Sequence, residues 1–265
     1  MANLSLSSRY LTIHNKDTLL VTDRDGWIGE KRTGLFSRDT RYISTYRVTV
    51  NGFDMKLLGV SVPYHFASSF HYTNPRIGRE PNLIPENSLL LKFSRHVAEG
   101  VHEDMELTNY AGKPVRIALA INMESDFADM FQVRGLERII PRLAQVHWND
   151  KRAALILNYR KSDFARTLTY EIHRTKVPPT HSLGTIVFRL ELAPGESWHT
   201  CVSIHFEDKP APNHAEAHSL EAATEDLHQW QAATAHVSTP TELVARAYAQ
   251  AISDFGSLRL EEENG

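Results

Sequence analysis

Two segments of the chain concentrate residues that could carry out or assist chemistry. The first, residues 34–44, opens with a glycine and places Arg38, Asp39 and Arg41 beside Tyr42. Asp39 could accept a charge-assisted hydrogen bond from either arginine. The pattern predicts either a polar patch that contacts a sugar or a neighbouring domain, or a structural ion pair that holds a loop.

The second segment, residues 125–135, carries Asp126 and Asp129, which would share one face of a helical turn. Glycoside hydrolysis uses two carboxylates on opposite sides of a bond, about 5–5.5 Å apart for retention or about 6.5–9.5 Å for inversion. Two positions on one turn seldom present carboxylates in that way, so we expect Asp126 to cap the turn instead. Three apolar side chains are expected to pack inward: Phe127, Met130 and Phe131.

Two aromatic residues are candidates for stacking on a sugar ring. Trp27 follows the turn at residues 23–26, and Tyr42 lies in the first segment. An exposed indole suits the apolar face of a pyranose, whereas core packing is the alternative for Trp27. The complete candidate set for substrate binding or a domain interface is Trp27, Arg38, Asp39, Arg41, Tyr42, Asp126, Asp129 and Arg134.

Signatures of common enzyme classes are missing from the sequence. It has no glycine-rich phosphate loop, no His-Glu-x-x-His, no cysteine pair for zinc and no Gly-x-Ser-x-Gly elbow. The 14 histidines are scattered, although His65 and His71, like His96 and His102, are six residues apart near predicted strand ends. We therefore predict no catalytic residue, no metal site and no cofactor.

Bulk properties exclude several kinds of partner. The 265 residues are 42% hydrophobic and carry a net charge of −3, so nothing indicates a nucleic-acid partner. Cys201 is the one cysteine, which excludes an internal disulfide and fits a reducing compartment. There is no signal-like start and no run of eighteen apolar residues. We expect a cytoplasmic protein with no membrane partner.

Residues 1–208 alternate between apolar and polar side chains in about a dozen short runs separated by turns. The predicted strands are residues 18–23, 43–50, 53–61, 88–96, 101–109, 115–123, 143–148, 153–159, 166–173, 184–192 and 198–206. One run, residues 43–50, ends at Asn51-Gly52, which strongly indicates a β-hairpin, and residues 53–61 continue on its far side. This pattern predicts a mainly β protein, a large antiparallel β-sandwich of the super-sandwich type, with two C-terminal α-helices.

Residues 209–265 are predicted to form a linker and a helical segment. A proline-rich linker at 209–212 precedes helices over about 213–234 and 239–260. In the second helix, Thr239 is the expected N-cap, with Pro240 at the first helical position and Glu242 completing a capping box. Its apolar face must be covered by the sheet or by helices that this chain lacks. That face comprises Leu243, Val244, Ala247, Tyr248, Ala251, Ile252 and Phe255.

The two dense segments resemble the N-terminal domain of bacterial glycogen-debranching-type proteins, the amylo-α-1,6-glucosidase family. The resemblance rests on residues 19–26, on Gly-Leu-Phe-Ser-Arg-Asp-Thr-Arg at 34–41, and on Asp-Phe-Ala-Asp-Met-Phe-Gln-Val-Arg-Gly at 126–135. It covers about residues 10–255 and implies a β-sandwich followed by an α/α toroid that carries the catalytic carboxylates. Residues 209–265 would begin that toroid, and no catalytic position can be carried over.

Three hypotheses follow. In the first, the chain is a noncatalytic module of a debranching-type glycoside hydrolase, inactive alone, with its own toroid as a partner and a contact to α-glucan. In the second, it is a free-standing structural domain that associates with a second copy through the apolar helix face. In the third, it is a glycosidase that is active by itself.

Overall fold

The protein is described by a computed structural model that covers residues 9–98, 100–137, 140, 142, 144–206 and 220–259. Within these residues the strands are β1 (Tyr10–Asn15), β2 (Thr18–Asp23), β3 (Gly34–Ser37), β4 (Thr40–Ile43), β5 (Thr45–Val50), β6 (Phe53–Asp54), β7 (Lys56–Tyr64), β8 (Ala67–Thr73), β9 (Leu89–Val97), β10 (Val101–Asn109), β11 (Val115–Glu124), β12 (Gln145–Asn149), β13 (Ala154–Lys161), β14 (Phe164–His173), β15 (Thr180–Ser182), β16 (Thr185–Leu192) and β17 (Ser197–Phe206). The helices are α1 (Met130–Arg134), α2 (Leu220–Ala233) and α3 (Glu242–Ser257).

The strands form three antiparallel sheets. The largest has eight strands in the order β12-β13-β14-β17-β10-β9-β8-β7, the second has five in the order β15-β16-β11-β5-β6, and β1 to β4 form a four-stranded meander. The predicted fold class, a mainly β antiparallel sandwich followed by two helices, is confirmed.

The inner faces of the sheets enclose one main hydrophobic core. Alternate residues point inward because side chains in a strand alternate between the two faces. Phe93 of β9 and Met105 of β10 meet Leu119 of β11 and Phe188 of β16 in this core, and all four are fully buried. The opposite face of β9, β10 and β17 carries mostly polar residues, such as Lys92, Asp104 and His199.

The Asn51-Gly52 turn has the predicted role, but the strand after it is interrupted. Asn51 and Gly52 have φ of 49° and 79° and join β5 to β6, as a tight hairpin requires. The single strand predicted over 53–61 is wrong, because β6 stays in the five-stranded sheet and β7 joins the eight-stranded sheet. Met55, which is buried, lies at this change of sheet.

A charged pair lies inside the core. Arg95 of β9 and Glu103 of β10 are each 2% exposed, and Arg95 Nε donates to Glu103 Oε1 at 2.9 Å. The hydroxyl of Tyr46 donates to Glu103 at 2.5 Å and lies 3.0 Å from that of Tyr170. Burial raises the pKa of both tyrosines well above the usual value, so both hydroxyls keep their protons. Tyr46 can then donate to the buried carboxylate, and Tyr170 contacts the Tyr46 hydroxyl.

The final helix begins later than predicted. Its N-cap is Thr241, which makes no side-chain capping bond, and its first residue is Glu242. Thr239 instead accepts a hydrogen bond from the Thr241 backbone N–H at 3.2 Å through its hydroxyl. The predicted capping box at Thr239 is therefore wrong, because its hydroxyl holds a local turn that competes with helix initiation.

Helix α2 packs on α3 and on the end of the β7–β8 hairpin. Leu227 and Trp230 of α2 contact Phe66, and the Trp230 indole N–H donates to the Ile252 carbonyl at 2.9 Å. The other side of α3 is open, with Leu243 76% exposed. No helix in the described part of the chain is both long and apolar enough to cross a membrane.

Two sequence predictions fall on residues 207–219, which lie outside the described residues. They are the linker at 209–212 and the start of the first C-terminal helix near residue 213. The predicted domain boundary between 208 and 209 falls in the same segment and stays a prediction.

Candidate functional site

The two dense sequence segments lie against each other and form one unit, which we call the motif joint (residues 34–44 and 125–135). The backbone N–H of Arg41 donates to the Ala128 carbonyl at 2.8 Å, and that of Met130 donates to the Asp39 carbonyl at 3.0 Å. These bonds fasten β4 to the start of α1 across more than eighty residues of sequence.

An ion pair between Arg41 and Asp126 closes the motif joint. Arg41 Nε donates to Asp126 Oδ1 at 3.1 Å, and Nη2 bonds the other carboxylate oxygen. Arg41 Nη1 donates to the carbonyls of Lys31 and Thr33 at 2.8 and 3.3 Å. Gly34 makes room for this arrangement, since a Cβ there would lie 2.6 Å from Arg41 Cδ. Arg41 therefore does take part in a structural ion pair, but its partner is Asp126 and not the predicted Asp39.

Asp129, not Asp126, caps α1. The Asp129 carboxylate accepts from the Gln132 backbone N–H at 2.9 Å, and the Gln132 side chain accepts from the Asp129 N–H at 3.3 Å. This is a reciprocal capping box, and Gly135, with φ of 80°, ends the helix. Asp126 caps the turn before the helix, as predicted, because its Oδ1 accepts a hydrogen bond from the Ala128 backbone N–H at 3.2 Å. The Arg41 guanidinium also bonds both Asp126 oxygens.

Of the three residues predicted to pack inward, Phe127 does so and is fully buried. Met130 is half-buried, and Phe131 is 61% exposed, so the prediction for Phe131 is wrong. The reason is the position of the cap: with Asp129 as N-cap, the short helix turns Gln132 and Val133 inward.

The two aromatic candidates for sugar stacking are core residues. Trp27 and Tyr42 are each 3% exposed. The Trp27 ring stacks on Tyr72 and Phe93, with centroid separations of 4.9 Å and 6.0 Å respectively. The ring centroids of Tyr42 and Phe206 lie 4.4 Å apart. The sugar-stacking prediction is wrong for both residues, since their ring faces are covered by other rings. The alternative of core packing for Trp27 is confirmed.

Three candidate residues of the motif joint remain on the surface: Arg38, Asp39 and Arg134. The predicted bond between Asp39 and an arginine is wrong, because Arg38 pairs with Asp17 at 3.5 Å and Arg41 pairs with Asp126. Arg38 has φ of 51°, which turns its side chain outward at the β3–β4 hairpin. Their role at a substrate or domain interface stays a prediction.

A cleft of about 470 Å³ opens beside these residues, between α1 and the outer face of β2 and β3. Its floor is apolar, with Phe36, Val133 and their neighbours in a small separate core. Two exposed arginines, Arg32 and Arg134, flank it. The cleft is lined by Leu19, Val21, Arg32, Phe36, Met130, Val133 and Arg134.

A second polar region was missed by sequence reasoning. In five adjacent strands of the eight-stranded sheet, β14, β17, β10, β9 and β8, the register brings six histidines to the outer face, which we call the histidine face: His71, His96, His102, His173, His199 and His205. Their sequence positions look scattered because they come from five strands. A signal was present in the period-two pairs His102-x-Asp104 and His199-x-Cys201, which place both members on one face of a strand.

Asp104 lies at the centre of this face. Its two carboxylate oxygens each lie 3.1 Å from a histidine Nε2, one of His102 and one of His199. Cys201 of β17 is the direct cross-strand partner of Asp104. Burial and the Asp104 charge raise the pKa of the Cys201 thiol to about 11, so the thiol is protonated and a poor nucleophile at neutral pH.

His205 lies on the same strand, four residues from Cys201. Burial first, and then the charge of Arg152, lower the pKa of its imidazole. The Arg152 guanidinium lies 3.3 Å from His205 Nε2 and also pairs with Glu171. His205 therefore belongs to a separate charged group on the histidine face.

Three solved structures illustrate the partial similarity of this chain to other proteins. A galactose mutarotase-like protein from Lactobacillus casei ATCC 334 aligns at 12% identity over 75% of this chain and 100% of that chain, with a TM-score of 0.44. A galactose mutarotase related enzyme from Lactobacillus acidophilus aligns at 8% identity over 75% and 97%, with a TM-score of 0.41. A heparan sulfate lyase HepC mutant from Pedobacter heparinus aligns at 11% identity over 77% and 36%, with a TM-score of 0.45.

A search of curated proteins gave no match. The family of N-terminal domains of some glycogen debranching enzymes, by contrast, matches residues 13–203. The match includes both halves of the motif joint and most of the strands of the histidine face. Because it spans well over half of the sequence, the chain belongs to the family of N-terminal domains found in some glycogen debranching enzymes.

Proposed function

We propose that the chain is a noncatalytic β-sandwich module of a glycogen-debranching-type glycoside hydrolase, an amylo-α-1,6-glucosidase, and that it braces an α/α toroid that performs the catalysis. One observation carries the proposal: both carboxylates of the motif joint maintain the fold. Asp126 is held by Arg41 and Asp129 caps α1. A general acid or base must lie within hydrogen-bond reach of the substrate, whereas these carboxylates bond to the Arg41 guanidinium and to the Gln132 backbone N–H.

The surface beside the motif joint suits a protein neighbour. The cleft floor is apolar, and Met130, Val133 and Arg134 of α1 line it. On the same helix, Phe131 is 61% exposed. Exposed apolar groups rimmed by arginine are typical of protein interfaces. In this proposal the toroid packs on the cleft, and Arg38 and Asp39 lie close enough to its substrate groove to contact α-glucan.

The open side of α3 is a second contact surface for the toroid. Leu243 and Phe255 are 76% and 66% exposed, whereas Gly256 and the Ile252 carbonyl lie against Trp230 of α2. A helix with one packed side and one open apolar side is expected to pack on a further helix. We therefore assign α3 to the junction with the toroid.

Two assays of the isolated chain test the noncatalytic role and the glucan contact. Incubation with a branched α-1,6-linked glucan should release no reducing sugar, and any release lost in Asp126→Asn or Asp129→Asn would overturn the proposal. A calorimetric titration with maltooligosaccharides tests the contact with glucan separately. Absence of heat at millimolar ligand removes the glucan contact and leaves the bracing role.

Mixing the chain with a purified α/α toroid of a debranching enzyme tests the bracing role directly. Phe131→Ser and Arg134→Glu change exposed side chains beside the cleft, and each should weaken the complex at least tenfold by calorimetry. Phe53→Ser is the matched control, because Phe53 is 45% exposed on β6, away from the cleft. Equal affinities for all three variants would contradict the assignment of the cleft as the interface.

Association with a second copy is the alternative that the open α3 face favours. Light scattering on the purified chain distinguishes the two hypotheses. A dimer that is lost in Leu243→Ser supports self-association. A monomer whose toroid complex is weakened by the same substitution supports the bracing role.

We also propose a cytoplasmic location for the chain. The support is Cys201, the one cysteine of the sequence, which is buried and cannot form an internal disulfide. Fractionation of cells that carry a tagged copy tests this, and recovery in a secreted fraction would contradict it.

A further inference from the structure

We propose that His102, Asp104 and Cys201 form a binding site for a zinc-type divalent transition metal on the histidine face, with His199 orienting the carboxylate. The site is independent of the proposed bracing function, since it lies on β10 and β17 and not at the motif joint. It departs from the sequence-based expectation of no metal site.

The geometry brings three kinds of metal ligand together. The ligand atoms of His102, Asp104 and Cys201 all lie within 4.8 Å of one another. Tetrahedral zinc, with bonds of about 2.0 Å to nitrogen or oxygen and about 2.3 Å to sulfur, holds its ligand atoms about 3.5 Å apart. Small rotations of the His102 and Asp104 side chains would close the remaining gap.

The backbone makes this arrangement rigid. β10 and β17 are neighbours at the centre of the eight-stranded sheet, and Asp104 and Cys201 are paired directly across the ladder. His102 lies two residues before Asp104 and therefore on the same face. Sites built on central strands are held more accurately than sites on loops.

Access and ligand type indicate which metal fits. Cys201 and His102 are buried, while the Asp104 side chain is 36% exposed, so an ion could enter from solvent on the carboxylate side. Binding of the metal would displace the Cys201 thiol proton to solvent. The resulting thiolate, with one imidazole and one carboxylate, matches zinc better than magnesium or calcium, which prefer oxygen ligands alone. Three protein ligands leave the fourth position to water.

His199 acts on the metal through Asp104. Its Nε2 lies 3.1 Å from Asp104 Oδ1, whereas His102 approaches Oδ2. A hydrogen bond to one oxygen of a ligating carboxylate fixes its orientation and directs the other oxygen to the metal. Loss of such a contact typically weakens metal binding about 10–100-fold.

Titration of the purified chain with Co²⁺ and then Zn²⁺ tests the site. One equivalent of Co²⁺ should bind and produce a thiolate-to-cobalt charge-transfer band in the near ultraviolet, and Zn²⁺ should remove it. Cys201→Ser should abolish the band, and His102→Ala should weaken binding at least 100-fold. His199→Ala should keep the band and weaken binding by about 10–100-fold.

His205→Ala is the matched control, because it removes another buried histidine of the histidine face, on the same strand as Cys201. It should bind Co²⁺ with unchanged affinity and spectrum. Circular dichroism of every variant separates loss of ligand from loss of fold. The proposal is overturned if the folded wild-type chain shows no charge-transfer band at saturating Co²⁺, or if folded Cys201→Ser keeps it. Equal weakening by His205→Ala also overturns it, because binding would then be nonspecific.

Discussion

The motif joint and the histidine face differ in how their residues are distributed along the sequence and in what those residues do. The motif joint draws its polar side chains from two short, dense segments, and the structure uses Arg41, Asp126 and Asp129 to hold the fold. The histidine face draws its residues from five strands, and the register gathers metal-ligand types around Asp104. The segments that are dense in unusual residues therefore form a structural unit, the motif joint. The better candidate for a ligand site, the histidine face, is built from residues that are dispersed in the sequence.

A physical reason accounts for the difference. A loop that must adopt one conformation needs local caps, a glycine such as Gly34 and an ion pair, and these come from neighbouring positions. A site on a sheet is assembled from residues directly opposite each other on paired strands, which are distant in sequence. Predictions that contrast the two regions test this account.

The largest effect is expected at the Arg41–Asp126 pair. Arg41→Ala leaves the carboxylate of Asp126, whose side chain is 21% exposed, without its counter-charge and should lower the free energy of unfolding by about 3 kcal/mol, as measured by urea denaturation. Arg47→Ala, which breaks the exposed pair with Asp54, is the control and should cost less than about 1 kcal/mol. Equal costs would mean that the motif joint does not depend on this ion pair.

A smaller loss is expected at the cap of α1. Asp129→Ala removes the acceptor for the Gln132 backbone N–H and should destabilise the protein by about 1 kcal/mol. Asp129→Ser retains a hydroxyl acceptor and should recover most of this stability, as measured by the same urea midpoint. A serine variant as unstable as the alanine variant would show that the negative charge, and not the cap, is required.

The histidine face should tolerate substitution at its exposed positions. His199 is 44% exposed, so His199→Ala should change the metal-free unfolding free energy by less than about 0.5 kcal/mol. The thermal unfolding temperatures of the wild type and His199→Ala should be compared without metal and with Zn²⁺. The variant should lose only the part of the stabilisation that depends on Zn²⁺. A large loss without metal would place His199 among the structural residues.

The smallest difference is expected in the acid dependence of stability. The pKa of His205 is lowered in the folded state, so the unfolded chain binds a proton first as pH falls. The free energy of unfolding that neutral His205 contributes is fully present above the unfolded-state pKa of about 6.5. It is lost as pH falls towards the folded-state pKa. His205→Asn should therefore flatten the decline of the urea midpoint between pH 7 and 5.5. An unchanged decline would assign the acid sensitivity to other groups, such as His14, whose pKa burial also lowers.

Much of the fold could be predicted because it depends on local periodicity. Alternation predicted β2, β9, β10 and β11 within a residue or two, and Asn51-Gly52 predicted its hairpin. Short or irregular strands, including β3 and β8, were missed because polar residues such as Ser68 and Ser69 hide the alternation. The α3 cap was misplaced because Thr239 can bond to either of two nearby N–H groups, and sequence does not say which.

By itself the sequence determined the class of the protein: an antiparallel β protein with two C-terminal helices and a motif pair typical of its family. Only the tertiary structure decided what the special residues do. Trp27 and Tyr42 are buried in the core, and Asp126 forms an ion pair with Arg41, which is distant in sequence. The strand register places Cys201 opposite Asp104. Periodicity and turn chemistry act between near neighbours and can be read along the chain, whereas burial and register depend on which strands meet in space.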